Sequence, residues 1–325
     1  MQEPCVSLIW DVFELQDEIA PVLRAISAEA RGLGCGIEVV IVDRGSQDGT
    51  VFEALQAAKE QPIPVKVVQS GAGADGTALN TGLFRSSGKY VSFVRSAGSF
   101  FRGHLKPLYD AAVKKDADLA FGEMISPDYG AGRPSITQRI RHVYFREGNG
   151  ADFLLSMIRR EKAADFGCLL VRRDFIFQNK ILFNETCRCG YEEEFLDRCL
   201  LLTDNVCEVR GPFVRDRSFS LLAPVEGPEF SCFDRVDALV RIAEDAKAYR
   251  QNNKRLATVL LDDMIPRSIL DCVELLLQKG RGYNAVNHYI NRNGYRKLLR
   301  AGRGTPLALQ RKILLWRNLP WMYSA

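Results

Sequence analysis

Charged residues that could do chemistry follow three of the apolar runs in the chain. Asp11 comes directly after VSLIW, Asp43 and Arg44 follow IEVVIV, and Arg95 and Ser96 follow YVSFV. A guanidinium group binds phosphate oxygens through paired hydrogen bonds, and a carboxylate can take a proton from a hydroxyl group. Residues of these types are useful together only if the fold brings the three loops to one place.

The apolar runs are predicted to be buried strands that alternate with helices. Strands are expected at 6–10, 37–42, 65–69, 90–94 and 119–122, with helices at 17–30, 51–59, 74–87 and 104–115. This alternation predicts an α/β fold with a mostly parallel sheet flanked by helices. Ligands bind such sheets at the carboxyl ends of the strands, so the loops after Trp10, Val42 and Val94 are expected around one crevice.

The remaining chain is predicted to contain a less regular stretch and then a helical region. Residues 123–165 are irregular and rich in glycine, which is typical of a binding loop. A further strand is expected at 168–171, and helices are expected at 191–202, 234–250, 255–278, 284–300 and 306–317. We therefore divide the chain into a domain of residues 1–222 and a helical C-terminal region of residues 223–325.

Five segments resemble, in order, the sequence pattern of the family 2 glycosyltransferases. VSLIWDVFE is similar to the opening VSVIIPVYN, EVVIVDRGSQDGT to EIIVVDDGSTDGT, and ALNTGLFRSSGKYVSFV to A-R-N-x-G-x-x-x-A-x-G-x-Y-I-x-F-L. LLVRRDFI and FNETCRCGYEEEFLDRCL resemble a later strand and the segment with the E-D motif. The resemblance implies a GT-A fold and inverting transfer of a sugar from a nucleotide-sugar, usually a UDP-sugar, to a glycan or lipid-linked acceptor.

The resemblance also implies the roles of individual residues. Glu193, preceded by Glu192, stands where the family has its catalytic base. The residues implied to bind the nucleotide-sugar are Asp11, Phe13, Asp43, Arg44, Asn80, Arg95, Ser96, Arg215 and Arg217.

The loop after the predicted fourth strand departs from the family pattern. The family holds a divalent metal here with the carboxylates of D-S-D-D, whereas this chain has Arg95, Ser96, Ala97 and Gly98. Hard cations need oxygen ligands, and this loop offers a single hydroxyl group, so no metal cofactor is expected. Two interpretations stay open: Arg95 holds the diphosphate in the metal's place, or the donor site is lost and the arginines are solvated or paired with nearby carboxylates.

The other candidate residues also have two interpretations each. Glu193 either deprotonates an acceptor hydroxyl or, with Glu192, places negative charge at the start of a helix, where the macrodipole favours it. Arg215 and Arg217 either fold over the diphosphate or are surface residues beside Asp216. The chain is therefore an active glycosyltransferase, an inactive scaffold that binds a protein partner, or a regulator that binds nucleotides without turnover.

Charge is distributed unevenly along the chain. After Glu274 there are ten basic residues and no acidic residue. Residues 295–321 interleave basic side chains with leucine, isoleucine and tryptophan, which fits an amphipathic helix on an anionic membrane. The same pattern fits a helix that packs on the protein and exposes a basic face. Nucleic acid is not expected as a partner because the sequence contains no known nucleic-acid-binding module.

The cysteines and the N-terminus favour a cytoplasmic protein. The nine cysteines are odd in number, and no basic segment followed by an apolar run opens the chain. We expect free thiols in a reducing cytoplasm, with the protein at the inner face of the plasma membrane if the tail binds lipid. Cys187, Cys189 and Cys199 lack the spacing of a zinc site, and the histidines lie far away in sequence.

Overall fold

The structure is a computed structural model. It describes residues 4–71, 75–94, 103–122, 143–159, 164, 166–211, 229–249, 254–319, 321 and 323. The chain divides into two compact units, of which the first is Met1–Thr186 with Phe195–Pro224 and the second is Cys187–Glu194 with Val225–Ala325. The domain boundary that the sequence predicts, between residues 222 and 223, lies outside the described residues.

The first unit is built on a mostly parallel sheet. Its strands are β1 (Val6–Val12), β2 (Ile37–Asp43), β3 (Val65–Gln69), β4 (Tyr90–Val94), β5 (Leu119–Gly122), β6 (Tyr144–Gly148), β7 (Leu169–Arg172) and β8 (Val206–Arg210). The eight strands described lie in the order β3-β2-β1-β4-β7-β5-β8-β6, and β6 and β7 run antiparallel to their neighbours. The predicted α/β class with a mostly parallel sheet is confirmed.

Helices cover the sheet because each presents one apolar face. They are α1 (Gln16–Leu33), α2 (Thr50–Glu60), α3 (Asp75–Arg85), α4 (Leu105–Lys115), α5 (Gly150–Ile158), α6 (Arg173–Gln178) and α7 (Tyr191–Leu202). In α1 the buried residues Ile19, Val22, Leu23 and Ile26 recur at helical spacing. The helix ends at Gly34, whose φ of 75° is a left-handed conformation that favours glycine.

The expectation of an irregular stretch at residues 123–165 is wrong for its second half, which forms β6 and α5. The prediction took the glycines of this stretch as a sign of an irregular loop, whereas Gly150 allows close packing at the start of a helix. A Cβ atom at Gly150 would overlap the backbone carbonyl oxygen of Leu200. The helix is started by Asn149, whose side chain accepts a hydrogen bond of 2.8 Å from the N–H of Ala151.

The second unit is helical, as predicted, but two of its predicted helices are interrupted. It contains α8 (Asp234–Tyr249), α9 (Lys254–Val259), a π-helix (Leu260–Met264), α10 (Ile265–Gln278), α11 (Tyr283–Arg292), α12 (Tyr295–Leu298) and α13 (Leu307–Asn318). The helix predicted at 255–278 is divided by the π-helix. The helix predicted at 284–300 is divided before Gly294, which has a φ of 80°. In the part of the chain that the structure describes, no helix is both long and apolar enough to cross a membrane.

The expectation that all cysteines are free is wrong for Cys5 and Cys35, which form a disulfide with their Cα atoms 6.2 Å apart. The register of β1 and β2 explains the pairing. Val6 lies opposite Ile37, so the residues just before the two strands are neighbours. The other cysteines are free thiols, and burial raises the pKa of Cys187 to about 12, which keeps that thiol protonated at neutral pH.

A buried hydrogen-bond network lies near the amino ends of β1 and β2. The carboxylate of Glu38 accepts hydrogen bonds from Ser7 Oγ at 2.6 Å and from the backbone N–H of Ser87 at 2.6 Å. It also pairs with Lys66 Nζ at 2.7 Å. Burial by itself would raise the pKa of Glu38, but the bonds from Lys66, Ser7 and Ser87 together outweigh it and hold that pKa below its usual value.

We expect Glu38→Gln to lower the free energy of unfolding by about 2 kcal/mol at neutral pH, because the amide loses its attraction to Lys66 and places an N–H₂ among hydrogen-bond donors. The folded pKa of Glu38 is below its ordinary value of 4.5, so its stabilisation is present above pH 4.5 and is lost as the pH falls below it. Urea unfolding across this range should show the two proteins converging in acid. A difference that does not change with pH, or an equal loss in the exposed control Glu60→Gln, would contradict this role.

Candidate functional site

The carboxyl ends of β1, β2 and β4 lie side by side, as the sequence predicts. Val12 pairs with Asp43 across the first two strands, and Trp10 pairs with Val94 across β1 and β4. The loops that follow these strands therefore begin next to one another. Arg95 and Ser96 come directly after β4 but lie outside the described residues, as do Arg215 and Arg217.

Asp43 shapes the turn that follows β2. Its side chain is fully buried, and Oδ2 accepts hydrogen bonds from the N–H groups of Gly45 at 3.0 Å and Ser46 at 3.3 Å. Gly45 has a φ of 92°, a conformation that the turn needs and that glycine adopts without strain. The observed contacts give Asp43 a structural function in the turn, and its predicted role in donor binding stays a prediction.

Polar side chains of the loop after β2 complete the start of α1. Leu15 precedes this helix and has no side chain that can cap it. Ser46 Oγ, Thr50 Oγ1 and Asp48 Oδ2 accept hydrogen bonds of 2.9, 2.8 and 3.3 Å from the N–H groups of Glu14, Leu15 and Gln16. In return Gln16 Oε1 accepts from the N–H of Gly49 at 3.0 Å. The two loops are thus held together, because donors at a helix start need partners.

Asp11, Phe13 and Arg44 form a cluster at this edge. Arg44 Nε lies 3.6 Å from Asp11 Oδ2, and both side chains are partly buried. The guanidinium carbon of Arg44 lies 5.5 Å from the centre of the Phe13 ring, which is itself 43% exposed. The pairing of Arg44 with a nearby carboxylate, one of the two interpretations of the sequence, is observed. The cluster nevertheless presents an aromatic ring beside a cation.

Asn80 joins α3 to the segment before α7. Its side chain is buried, donates to the carbonyl of Phe183 at 3.0 Å and accepts from the N–H of the same residue at 2.9 Å. It also donates to Glu185 Oε1 at 2.9 Å. Gly82, on the same helix, packs so closely on β1 that a Cβ atom would overlap the Ile9 side chain. These contacts give Asn80 a structural role, and its predicted contact with the donor stays untested.

Four phenylalanines of the first unit pack together, one of them, Phe195, from α7. Phe195 stacks on Phe183 with ring centres 4.2 Å apart, and its edge meets Phe93 of β4 at 5.5 Å. Phe166 stacks on Phe93 at 4.6 Å. These rings fix Phe195 next to the carboxyl end of β4.

The run of glutamates at the start of α7 belongs to the second unit, and its members have different environments. Glu193 is 56% exposed, and its carboxylate lies 3.9 Å from the guanidinium group of Arg235. Glu194 is buried, and Arg241 donates to both of its oxygens at 2.8 and 2.7 Å. Glu192 is partly buried. An exposed carboxylate is able to meet a substrate, whereas the bidentate pair of Glu194 is structural.

The donor atoms available at the loop after β4 do not fit the divalent metal that the family implies. Residues 95–98 contain one hydroxyl group and no carboxylate, and a hard cation needs several oxygen ligands. Among the described residues, no group of three or more His, Cys, Asp or Glu side chains is placed to hold a metal. The charge that the chain offers at this loop is the guanidinium of Arg95.

A cavity of about 610 Å³ lies elsewhere in the first unit, against α1, α4 and β6. Its charged lining residues are Glu29, Lys106 and Asp110, and Lys106 pairs with Asp110 at 2.9 Å. None of the predicted site residues lines this cavity. The predicted crevice at the carboxyl ends of the strands is therefore a separate surface.

Two curated relatives are glycosyltransferases of Streptococcus pneumoniae serotype 4 (strain ATCC BAA-334 / TIGR4). GlyA is 28% identical over 121 residues, which is 37% of this chain and 17% of GlyA. GlyG is 31% identical over 97 residues, which is 30% of this chain and 32% of GlyG. The chain thus spans less than a third of the length of either relative.

Two solved structures have a similar fold over nearly the whole chain. Residues 1–349 of TarS from S. aureus superpose with a TM-score of 0.66 and 17% identity, covering 98% of this chain and 87% of those 349 residues. The mannosyltransferase PcManGT from Pyrobaculum calidifontis, solved with GDP-Man and Mn²⁺, gives a TM-score of 0.51 and 13% identity over 98% of this chain and 85% of PcManGT. The family model described as glycosyl transferase family 2 matches residues 12–179, more than half of the chain. The protein has the GT-A fold and belongs to glycosyl transferase family 2.

Proposed function

We propose that the protein transfers a sugar from a nucleotide-sugar, most simply a UDP-sugar, to a glycan or lipid-linked acceptor with inversion and without a metal ion. The observation that carries this proposal is the family match over residues 12–179, which begins at the end of β1 and includes β2 and β4; the carboxyl ends of these three strands form one edge. The expected metal carboxylates are replaced by a loop with an arginine, while an exposed glutamate stands at the position of the base.

The choice of a nucleotide donor rests on the cluster after β1 and on the solved structures. TarS was solved with UDP and with UDP-GlcNAc. In this chain the exposed ring of Phe13 offers a flat surface for a nucleobase, and Arg44 beside it adds a positive charge. Asp11 holds Arg44 in place. Aromatic rings with neighbouring guanidinium groups are effective partners for the π-face of a base.

In this proposal, positively charged arginine side chains stabilise the diphosphate in place of the divalent metal that the family pattern implies. Arg95 holds the diphosphate in two parallel hydrogen bonds, and Arg215 and Arg217 close over it, with Ser96 as a further donor. Positive groups fixed where negative charge develops lower the barrier, because they need not reorganise during the reaction.

The chemical step is a single in-line displacement. Glu193 removes the proton of an acceptor hydroxyl while its oxygen forms a bond to the anomeric carbon of the sugar. The bond from that carbon to the diphosphate oxygen breaks on the opposite face, and the electron pair leaves with the nucleoside diphosphate. The arginines stabilise the charge of the leaving group, and Glu193 ends the step protonated.

A second candidate is an inactive glycosyltransferase scaffold that binds a protein partner or a glycan. It is favoured by one observation, that Arg44, which replaces a family carboxylate, is paired with Asp11 inside the protein. A related possibility is a regulator that binds a nucleotide without turnover. The three functions differ in two measurements, nucleotide affinity and donor consumption.

The proposal is tested by calorimetric titration of the full chain with UDP, GDP and CMP, each with manganese and with EDTA. We expect one nucleotide to bind with micromolar affinity under both conditions, and Arg95→Ala to weaken it at least tenfold, because a charge-assisted bidentate contact is lost. Arg24→Ala, a change at an exposed arginine of α1, is the matched control.

Each outcome of the titration decides between the candidates. Binding that disappears in EDTA would overturn the metal-independent site. Failure of all three nucleotides to bind would mean that the donor site is lost and would favour the scaffold. Binding without any hydrolysis or transfer of the matching donor sugar would favour the regulator.

A further inference from the structure

The C-terminal helix α13 is packed on the second unit by one face. Leu309, Ile313 and Trp316 are buried and recur at intervals of four and three residues, which places them on one side of the helix. Lys312 Nζ reaches Glu274 of α10 at 2.7 Å. The sequence left open whether these apolar residues face a membrane or the protein, and the structure shows that these three face the protein.

The packing extends beyond the end of the helix. Tyr323 is buried, meets the Trp316 ring edge-on at 5.5 Å and donates to Glu274 Oε1 at 2.7 Å. Burial and the bond to Glu274 raise the pKa of this tyrosine, so it stays a donor at neutral pH. The segment is therefore held in a defined orientation, and its opposite face is turned outward.

That outward face carries two exposed leucines. Leu307, Arg311, Leu314 and Asn318 follow the same spacing on the other side of the helix. Leu307 is 73% exposed and Leu314 is 57% exposed. Trp321, just after the helix, is 60% exposed. Large apolar side chains exposed together on one rigid element are typical of an interaction surface.

The charged side chains of the segment after Glu274 are of one sign. All ten charged residues after Glu274 are basic. Arg296, Lys297, Arg300, Arg303 and Arg311 are exposed. A partner that fits must therefore be negatively charged and must also accept leucine and tryptophan side chains. An anionic lipid bilayer has both properties, because its headgroups attract basic residues and its interface accommodates tryptophan.

We propose that the outward face of α13, with Leu307, Arg311 and Leu314, docks the protein on the surface of an anionic membrane, together with the exposed Trp321 that follows the helix. The helix lies on the bilayer while its other face stays packed on α10. The leucines enter the interface, and the surrounding arginines contact the headgroups. The docking needs no change in the fold, because the residues that it uses are already exposed.

The test is sedimentation of the full chain with phosphatidylcholine vesicles, with and without about one third phosphatidylglycerol. We expect binding to the anionic vesicles at least tenfold tighter than to the neutral ones, and its loss at high salt, where charges are screened. Leu307→Ser with Leu314→Ser should weaken binding about tenfold by removing the apolar contact. Phe52→Ser with Leu55→Ser is the matched control, since both residues are exposed on α2 of the first unit.

Fluorescence gives a second readout that a general loss of folding would not mimic. The chain has three tryptophans, of which Trp10 and Trp316 are buried and Trp321 is exposed. Anionic vesicles should shift the emission to shorter wavelength. Leu307→Ser with Leu314→Ser should need about tenfold more lipid for the same shift, while its emission without vesicles stays that of the wild-type protein. The proposal is overturned if the wild-type chain ignores anionic vesicles. It is also overturned if the leucine pair instead mediates self-association that light scattering detects and that Leu307→Ser with Leu314→Ser abolishes.

Discussion

Glu193→Gln is expected to lower kcat for sugar transfer by about a hundredfold or more, with little change in the affinity for the nucleotide. An amide has nearly the same shape as the carboxylate but cannot take the proton of the acceptor hydroxyl, and general-base catalysis contributes about 10²–10⁴ in rate. Because the Glu193 side chain is 56% exposed, the variant should unfold at the same temperature as the wild-type protein.

The control for this prediction is Arg235→Ala. The Arg235 guanidinium lies 3.9 Å from the Glu193 carboxylate, and both side chains are exposed, where such ion pairs contribute little. Its loss should leave kcat within a few-fold of the wild-type value. A Glu193→Gln variant that retains full turnover would remove Glu193 from the mechanism and direct attention to Glu192.

Glu194→Ala, one residue further along the same helix, is expected to lower the free energy of unfolding by about 3–5 kcal/mol. Glu194 is buried, and its two oxygens are both occupied by Arg241. Without the carboxylate, the guanidinium keeps its partly buried position with no partner of opposite charge in the bidentate site. In the wild-type protein the hydrogen bonds to Glu194 hold the pKa of Arg241 above its usual value. In the variant the guanidinium stays charged, because arginine does not lose its proton in proteins.

Denaturant unfolding of Glu194→Ala, Arg241→Ala and the double variant measures this pair directly. The double variant should lose less than the sum of the single variants, because the second change removes the stranded charge. Additive losses would show that the two side chains contribute separately. Comparison with Glu193→Gln is a further control. Glu193→Gln should lower kcat without lowering stability, whereas Glu194→Ala should lower the free energy of unfolding.

The regular part of the fold could be predicted from local patterns. The largely apolar runs at 90–94 and 119–122 gave the bounds of β4 and β5, because strands that are buried on both faces are mostly apolar. The direction of β7 could not be predicted, since it depends on pairing with β4 and β5, which are distant in sequence. The π-helix at Leu260–Met264 could not be predicted from the sequence either, because its residues continue the helical pattern.

The candidate site could be located from the sequence more easily than its members could be assigned. The order of strands and loops predicted which loops meet, and the registers of β1, β2 and β4 agree. The local sequence pattern could not show that the Asp43 carboxylate accepts hydrogen bonds within its own turn. It also could not show that the Asn80 amide is hydrogen-bonded to the backbone of Phe183. Nor could it distinguish exposed Glu193 from buried Glu194, because adjacent glutamates look alike until Arg241 is placed beside one of them.

The hydrogen bonds from Ser46, Asp48 and Thr50 to the start of α1 have a consequence for any ligand that binds at this edge. Ordering a free backbone residue costs about 1–2 kcal/mol in conformational entropy. Here the loops after β1 and β2 are ordered when the chain folds, so a ligand meets a surface whose freedom is already lost. The conformational entropy of these loops is therefore lost during folding and not during ligand binding. Ligand association at this edge should proceed with little further loss of protein entropy.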